Sequence, residues 1–297
     1  MKRLLFVLCF AVLVFTGCSN ESITDVSEKV EQPENDTNTS PHEETKESTE
    51  PQEQPQETTD SKEIVGEKIK ETTTSPKYKI NESTWSVEPI EKEGNEKLVL
   101  LTIDDAPDKY SLEMANTLKE LGVNAIFFVN GHFIDTKEEQ ARLKEIYDMG
   151  FAIGNHTYNH QKLDDVSEEK QREEIVKLNA LIEEVTGERP KFFRAPHGVN
   201  TDFSTQLAKE EGMVLMNWTY GYDYFKPYMN ADKLTTAMVT GEGPEVDVPY
   251  SLLKPGANLL MHDRDWTNAA LTDIVKGLQD KGYEVANPNL IQTIPAS

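Results

Sequence analysis

Short apolar runs alternate with amphipathic helical segments from about Tyr78 onward, and this alternation restricts the fold more than any other feature of the chain. The first run, residues 98–103, ends in two aspartates, and a helical spacing of leucine and alanine follows it at 111–121. Strands that alternate with helices predict parallel strands joined by right-handed crossovers. The pattern continues with predicted strands at 124–129, 151–153, 192–193, 214–216, 259–261 and 283–285, and with predicted helices at 137–149, 167–185 and 265–280.

The number of these units predicts an α/β fold in the form of a small or incomplete barrel. In such barrels the chemistry lies at the C-terminal ends of the strands. The polar residues at those ends are therefore the candidates for function: Asp104, Asp105, His156, His160, Arg194, Asp223 and His262.

The first eighteen residues predict a secretory signal that ends at a cysteine. Lys2 and Arg3 precede twelve apolar residues, and the run stops just before Cys18. Twelve helical residues rise only about 18 Å, less than the roughly 30 Å of a bilayer core. We therefore predict a signal peptide at 1–17. The small residues before Cys18 resemble the lipobox of bacterial lipoproteins, in which the cysteine is acylated. An ordinary secretory signal, in which Cys18 has no role, is the alternative.

Residues 18–80 are predicted to form a disordered acidic tether, with the folded domain at 81–297. Residues 19–80 are rich in Glu, Thr, Ser, Gln and Pro, and they hold 16 acidic and 7 basic side chains. Such a segment cannot bury enough apolar area to offset its chain entropy. Of the formal net charge of −23, −16 falls on the predicted domain. This charge argues against nucleic acid as a partner, and against electrostatic docking on anionic lipid.

Histidine and aspartate side chains offer a metal site, whereas cysteines do not. The two cysteines, Cys9 and Cys18, both lie in the first eighteen residues, which excludes a disulfide scaffold and a cysteine nucleophile in the rest of the chain. An i, i+4 histidine pair such as His156 and His160 can reach one cation. Alone, such a pair is more often a surface or capping feature, and adjacent aspartates can equally cap a helix. Two histidines with one carboxylate leave open positions on a divalent ion, as in hydrolytic zinc sites.

Taken in order, five motifs within about residues 96–290 resemble the polysaccharide deacetylases of carbohydrate esterase family four. The motifs are Thr102-Ile103-Asp104-Asp105-Ala106-Pro107, His156-Thr157-Tyr158-Asn159-His160, Arg194-Ala195-Pro196-His197-Gly198, the stretch 218–224, and Leu259-Leu260-Met261-His262-Asp263. The resemblance implies a distorted (β/α) barrel of about seven parallel strands. It also implies that Asp104 is the catalytic base, and that Asp105, His156 and His160 hold one divalent metal ion, which we expect to be zinc.

The same resemblance implies roles for the remaining motif residues. His262 is expected to be the general acid, held by Asp223, while Arg194 pairs with Asp104 and Leu260 forms an apolar wall for the acetyl methyl group. The full set of expected supporting or substrate-binding residues is Arg194, Pro196, His197, Trp218, Asp223, Tyr224 and Leu260.

Several positions depart from the family pattern. Ala106 stands where the family usually has glycine, and Gly221 where an aspartate is frequent. His197 replaces the usual tyrosine, and Tyr224 the usual tryptophan. Because the expected ligands, base and acid are all present, we expect activity with an altered groove.

The predicted function is metal-dependent N-deacetylation of N-acetylhexosamine units in cell-wall polysaccharide. Peptidoglycan N-acetylglucosamine is the expected substrate, and the products are acetate and a free amino sugar. We expect a monomer, tethered by a lipid on Cys18 to the outer face of the bacterial cytoplasmic membrane. Two alternatives stay open: a deacetylase of another glycan, such as muramic acid residues, chitin-like chains or poly-N-acetylglucosamine, and a weakly active wall-binding or wall-stabilising lipoprotein.

Overall fold

The computed structural model describes residues 75–294. The predicted signal peptide, the anchor at Cys18 and most of the predicted tether lie outside these residues. Within residues 75–294, none of the helices combines the length and the apolar character needed to span a bilayer.

Nine strands and six α-helices make up the described part of the chain. The strands are β1 (Tyr78–Ile80), β2 (Val87–Pro89), β3 (Leu98–Ala106), β4 (Ile126–Val129), β5 (Ala152–Asn155), β6 (Phe192–Phe193), β7 (Val214–Leu215), β8 (Ala257–His262) and β9 (Glu284–Val285). The helices are α1 (Ser111–Glu120), α2 (Lys137–Asp148), α3 (Glu168–Thr186), α4 (Asp202–Glu210), α5 (Ala231–Thr240) and α6 (Asp265–Asp280).

Seven of the strands form one parallel sheet in the order β7-β6-β5-β4-β3-β8, with β9 paired to the start of β3. Beyond β7, Tyr220 forms a parallel bridge with Leu259 of β8, so the segment that leaves one edge of the sheet reaches the other edge. The sheet therefore curls into a distorted barrel with helices outside it, and the predicted fold class is confirmed.

The central strand β3 brings the first predicted motif into the interior. Eight of its nine residues are buried, and it pairs with both β4 and β8. A continuous apolar run is typical of a parallel strand that is covered on both faces. His262 at the end of β8 lies in register with Asp104 near the end of β3. Two motifs that are distant in the sequence therefore meet at one edge of the barrel.

Local signals explain where the helices begin and end. Thr136 and Glu139 form a capping box at the start of α2, and Ser167 accepts a hydrogen bond from the backbone of Lys170 at the start of α3. Gly187 ends α3 in the left-handed conformation. The observed bounds of α2, α3 and α6 agree with the predicted helices to within one residue.

The antiparallel pair β1–β2 was not predicted, and its first strand lies just before the expected domain boundary at residue 81. Tyr78 and Ile80 pack against a small apolar cluster, and backbone hydrogen bonds join Lys77 and Tyr78 to the C-terminal segment at Leu290 and Gln292. These contacts offset the chain entropy of residues that composition alone assigned to the tether.

Candidate active site

A cleft of about 580 Å³ opens at the C-terminal ends of the parallel strands, and it gathers most of the residues singled out from the sequence. Its lining consists of carboxylates, imidazoles, aromatic rings, one guanidinium and two aliphatic side chains: Asp104, Asp105, His156, His160, His197, Trp218, Asp223, Tyr224, Met229, Leu260, His262, Arg264 and Trp266. Motifs separated by up to about half the chain are thus joined in one cavity.

Asp105, His156 and His160 form a group that could hold a metal ion. One ligand atom from each lies within 4.8 Å of the others. The Nε2 atom of His160 is 3.5 Å from a carboxylate oxygen of Asp105. A carboxylate and two imidazoles are donors that suit Zn²⁺ and other first-row divalent ions.

The protonation states of these three side chains favour a cation. Nδ1 of His156 lies 2.7 Å from the carbonyl oxygen of Arg194, which can only accept, so Nδ1 carries the hydrogen and Nε2 keeps its lone pair. Burial lowers the pKa of His156, and burial together with the neighbouring His156 lowers the pKa of His160 to about 4. Burial alone would raise the pKa of Asp105, but positive neighbours, including His262 and Arg264, lower it. Neutral imidazoles and an ionised carboxylate are the forms that bind metal.

Backbone strain is concentrated at this site. Six non-glycine residues in the described range have positive φ, and four of them lie in or beside the cleft: Asp105, Thr157, His160 and His197. Each such conformation costs about 1–3 kcal/mol and persists only where the surroundings impose it. The three donor side chains suit a divalent cation, and the strained backbone around them lowers the stability of the folded protein. We infer that the fold tolerates this strain in order to place these side chains.

Asp104 is held by a fully buried arginine. Nη1 of Arg194 donates to Oδ1 of Asp104 at 2.6 Å and to the hydroxyl of Thr102 at 2.8 Å. The guanidinium also donates to two backbone carbonyls and lies 4.3 Å from the centroid of the Phe128 ring. The other oxygen of Asp104 faces Nε2 of His156 at 3.5 Å, so this carboxylate lies beside the metal-ligand group in a fixed orientation.

His262 is held by the buried carboxylate of Asp223. Nδ1 of His262 donates to Oδ1 of Asp223 at 2.8 Å, and the backbone N–H of His262 donates to Oδ2. The hydroxyl of Thr267 donates to the same Oδ2 at 2.8 Å, and the indole of Trp266 donates to the Asp223 carbonyl. Burial alone would lower the pKa of His262, but the charge and hydrogen bond of Asp223, together with the charges of Asp104 and Asp105, outweigh it and raise that pKa to about 9.

Replacing Asp223 with asparagine should lower the pKa of His262 well below its value of about 9. The amide keeps a hydrogen bond but removes the charge, so burial then dominates. The His262 imidazole stays protonated at pH values below its pKa. The substitution therefore lowers the highest pH at which His262 is still cationic. An NMR titration of the His262 ring measures the change, with Thr267→Val as a control that removes a neutral hydrogen bond only. An unchanged His262 pKa in Asp223→Asn would contradict the assignment.

The departures at Ala106 and Gly221 leave the metal-ligand group intact. Ala106 is buried in register with Val129, and the three ligand atoms converge with this methyl group in place. At Gly221 a Cβ would lie 2.5 Å from the backbone oxygen of Leu260, so an aspartate does not fit there. The carboxylate that holds His262 comes from Asp223 instead.

We expect Gly221→Ala to destabilise the protein by about 1–3 kcal/mol, the usual cost of overpacking. The added methyl group must displace the backbone of Leu260, which cannot move as freely as a side-chain tip. Urea unfolding monitored by tryptophan fluorescence measures the free energy of unfolding. A variant as stable as the wild type would show that this contact can relax without cost.

The remaining predicted residues fall into two groups. His197, Trp218, Tyr224 and Leu260 line the cleft, and the Tyr224 ring lies 5.7 Å from that of His262. Pro196 is buried in the turn Pro196–Gly198, where it holds the chain that presents His197. Pro196 is not among the residues that line the cleft.

Arg264 and Thr102 contribute to the site but were not predicted as site residues. Arg264 donates from Nη2 to Oδ2 of Asp105 at 2.7 Å. Arg264 lies two residues after His262, just beyond the end of β8, and this position could have marked it as a candidate site residue. Thr102 opens the first motif, but no role could be assigned to it from the sequence, because that role depends on Arg194 lying next to it in space.

A second and larger cleft, of about 640 Å³, lies beside β1, α4 and β7. It contains none of the predicted site residues. Its lining includes Trp85, Lys79 and Lys209 but no histidine. The chemistry therefore concentrates in the smaller cleft at the strand ends.

The fold and the cleft together define an α/β barrel with a candidate metal site at its strand ends, and comparison with known proteins identifies its family. Residues 91–216 match the family described as polysaccharide deacetylase. A peptidoglycan-N-acetylglucosamine deacetylase of Bacillus cereus is 30% identical over 202 residues, which cover 67% of this chain and 70% of the relative. The peptidoglycan-N-acetylmuramic acid deacetylase PdaA of Bacillus subtilis is 28% identical over 191 residues, covering 63% and 68%. The chain belongs to the polysaccharide deacetylase family.

A similar solved structure is described as a family 4 carbohydrate esterase pseudoenzyme from Bacillus anthracis. It is 30% identical, with a TM-score of 0.56, and the match covers 65% of this chain and 64% of that one. Membership of the family therefore does not by itself establish turnover, and the individual side chains in the cleft must decide it.

Proposed function

We propose that this protein is a metal-dependent N-deacetylase of cell-wall polysaccharide, acting on N-acetylhexosamine units and releasing acetate. One observation carries the proposal: a metal-ligand group, an arginine-held carboxylate and a carboxylate-held imidazole line the same cleft. Amide hydrolysis needs an activated water, a base and an acid, and each of these groups suits one of those tasks.

Asp104 is the proposed general base. Its carboxylate lies beside the ligand group, and Arg194 and Thr102 fix its orientation, so it can accept a proton from the attacking water. A carboxylate held in one orientation loses little entropy when it takes up the proton.

His262 is the proposed general acid. Asp223 occupies Nδ1, which leaves Nε2 to protonate the leaving amine, and the raised pKa keeps the imidazole cationic at neutral pH. Leu260, at the cleft wall, offers the acetyl methyl group an apolar contact.

The backbone N–H of His197 is the proposed donor to the developing oxyanion. In the same turn, the N–H groups of Gly198 and Val199 donate to carbonyls at 3.0 and 3.1 Å. The His197 N–H has no acceptor within residues 75–294, so it is available to a substrate.

Zinc is the proposed ion for Asp105, His156 and His160. When bound, such a cation polarises the amide carbonyl and lowers the pKa of its bound water. Cobalt, nickel and manganese would suit the same donors, so metal content should be measured on protein purified without added metal.

Peptidoglycan N-acetylglucosamine is the proposed substrate. The similarity to a deacetylase of that substrate supports it, and the net charge of −16 on residues 81–297 suits a neutral sugar better than a polyanion. The similarity to an N-acetylmuramic acid deacetylase keeps the muramic acid residue as the alternative.

The test is acetate release across a panel of glycans, with and without a chelator. The panel contains N-acetylglucosamine oligomers, intact peptidoglycan, peptide-free glycan strands and poly-N-acetylglucosamine. We expect metal-dependent release from peptidoglycan, with free amines appearing on glucosamine. Amines on muramic acid would support the alternative substrate.

A wall-binding protein without turnover is the competing function, because a protein of similar fold is described as a pseudoenzyme. Metal-loaded protein that binds peptidoglycan but releases no acetate from any of these glycans would favour that function over ours.

The proposed location is the outer face of the cytoplasmic membrane, through a lipid on Cys18. Cys18→Ala should release the protein into the medium, because a tether without an acyl chain has no apolar group to hold it at the bilayer. Fractionation followed by immunoblotting measures the change, and Cys9→Ala is the matched control. Membrane retention of Cys18→Ala would contradict lipidation at that residue.

A further inference from the structure

Arg264 contacts the one carboxylate in the metal-ligand group. Its Nη2 donates to Oδ2 of Asp105 at 2.7 Å, while Oδ1 of Asp105 faces Nε2 of His160 at 3.5 Å. The two oxygens of this carboxylate therefore have different neighbours. Oδ1 belongs to the ligand group, and Oδ2 belongs to an ion pair in which the carboxylate is 14% exposed.

Arg264 is itself fixed from the other side. Its Nη1 donates to the carbonyl oxygen of Asp263 at 2.8 Å. The Asp263 side chain is buried and accepts hydrogen bonds from the backbone N–H groups of Lys109, Tyr110 and Ser111, so it ties the end of β8 to the start of α1. The guanidinium therefore bridges a rigid strand end and Asp105.

We propose that Arg264 is a positioning residue that makes Asp105 a ligand through one oxygen only. The inference depends on the proposed metal site. A carboxylate can bind a cation through one oxygen or two, but Oδ2 is held in a charge-assisted hydrogen bond and is not free to bind. Partners of this kind orient metal ligands and raise metal affinity.

The consequence is an open coordination sphere. With three protein ligand atoms, a bound cation would keep positions for water and for the substrate carbonyl, and a second Asp105 oxygen would occupy one of them. Asp105 sits at φ 60°, a strained backbone conformation that persists only where the surroundings impose it.

Charge alone predicts the opposite effect on metal affinity. A guanidinium 2.7 Å from a ligand carboxylate repels a cation, so its removal would tighten metal binding if electrostatics dominated. If orientation dominates, removal weakens binding. The sign of the change therefore separates a positioning role from a purely electrostatic one.

The experiment compares Arg264→Met, Arg264→Lys and the control Arg172→Met by isothermal titration with Zn²⁺ and by the visible spectrum of the Co²⁺ form. Arg172 is an exposed arginine on α3, and its guanidinium lies over the ring of Phe203. We expect Arg264→Met to weaken Zn²⁺ binding by about 10–100-fold, the usual effect of losing a partner of a metal ligand. Arg264→Lys should recover part of the affinity, because it keeps a charged donor but not the planar fork.

The Co²⁺ spectrum reports the coordination number directly. Arg264→Met should show weaker visible absorption than the wild type, since a second Asp105 oxygen raises the coordination number. Unchanged or tighter metal binding with an unchanged spectrum in both Arg264 variants would overturn the proposal. A wild-type protein that binds no metal would instead overturn the proposed function.

Discussion

Asp104→Asn should lower kcat/KM for acetate release by roughly 10²–10⁴-fold, the range lost with a general base. Asparagine still accepts a hydrogen bond from Arg194, so the fold and the metal-ligand group should survive. The amide cannot take up the proton of the attacking water. Steady-state kinetics on a glycan that the wild type deacetylates measures the loss.

Metal affinity separates this role from a structural one. Asp104 lies outside the group of three ligand atoms, and we expect Zn²⁺ binding to change little in the variant. Asp148→Asn, at an exposed carboxylate that pairs with Lys144, is the control and should keep full activity. If Asp104→Asn had the same kcat/KM as the wild type, another group would have to be the general base.

His156→Ala and His160→Ala should each abolish stoichiometric zinc binding. Two remaining donors do not hold a divalent ion against water at micromolar concentration, and the thermal stabilisation of the wild type by zinc should disappear with them. Ligand-linked stabilisation is about 4 kcal/mol at a thousandfold excess over Kd, so the shift in Tm is easily measured. His160 is partly exposed, which makes its variant less prone to misfolding than that of the buried His156.

His132→Ala is the matched control for both variants. His132 also follows a strand, but its Nδ1 lies 3.0 Å from the carbonyl oxygen of Tyr158 and it is not among the three ligand residues. Its loss should leave metal content unchanged. Zinc at one equivalent in His156→Ala and in His160→Ala would mean that the cation binds elsewhere.

These two experiments also distinguish this protein from an inactive relative. A similar fold occurs in a pseudoenzyme, so the barrel does not guarantee catalysis. What favours turnover here is the complete set of Asp104, Arg194, His262 and Asp223 beside the ligand group, paired with one another by hydrogen bonds of 2.5–2.8 Å.

Much of the fold could be predicted from local pattern. The apolar run in β3 and the capped helices α2 and α3 have strong signals of their own, and their predicted bounds are close to the observed ones. The strands β1 and β2 were missed because three residues carry too little periodicity. They are stabilised by contacts with the C-terminal segment, which no local window contains.

The candidate site, like the fold, has features that local sequence predicts and features that depend on long-range contacts. The residue types, their order and their positions after strands can be derived from the amino-acid sequence alone, because the ends of parallel strands meet at one edge of a barrel. Which of these side chains touch is defined only in the folded protein. The Asp223 carboxylate reaches His262, Arg194 reaches Asp104 and Thr102, and Arg264 reaches Asp105, across separations of 39, 90, 92 and 159 residues. Contacts of that kind depend on strand register and on the burial of charge, which become defined only when the sheet curls and excludes water.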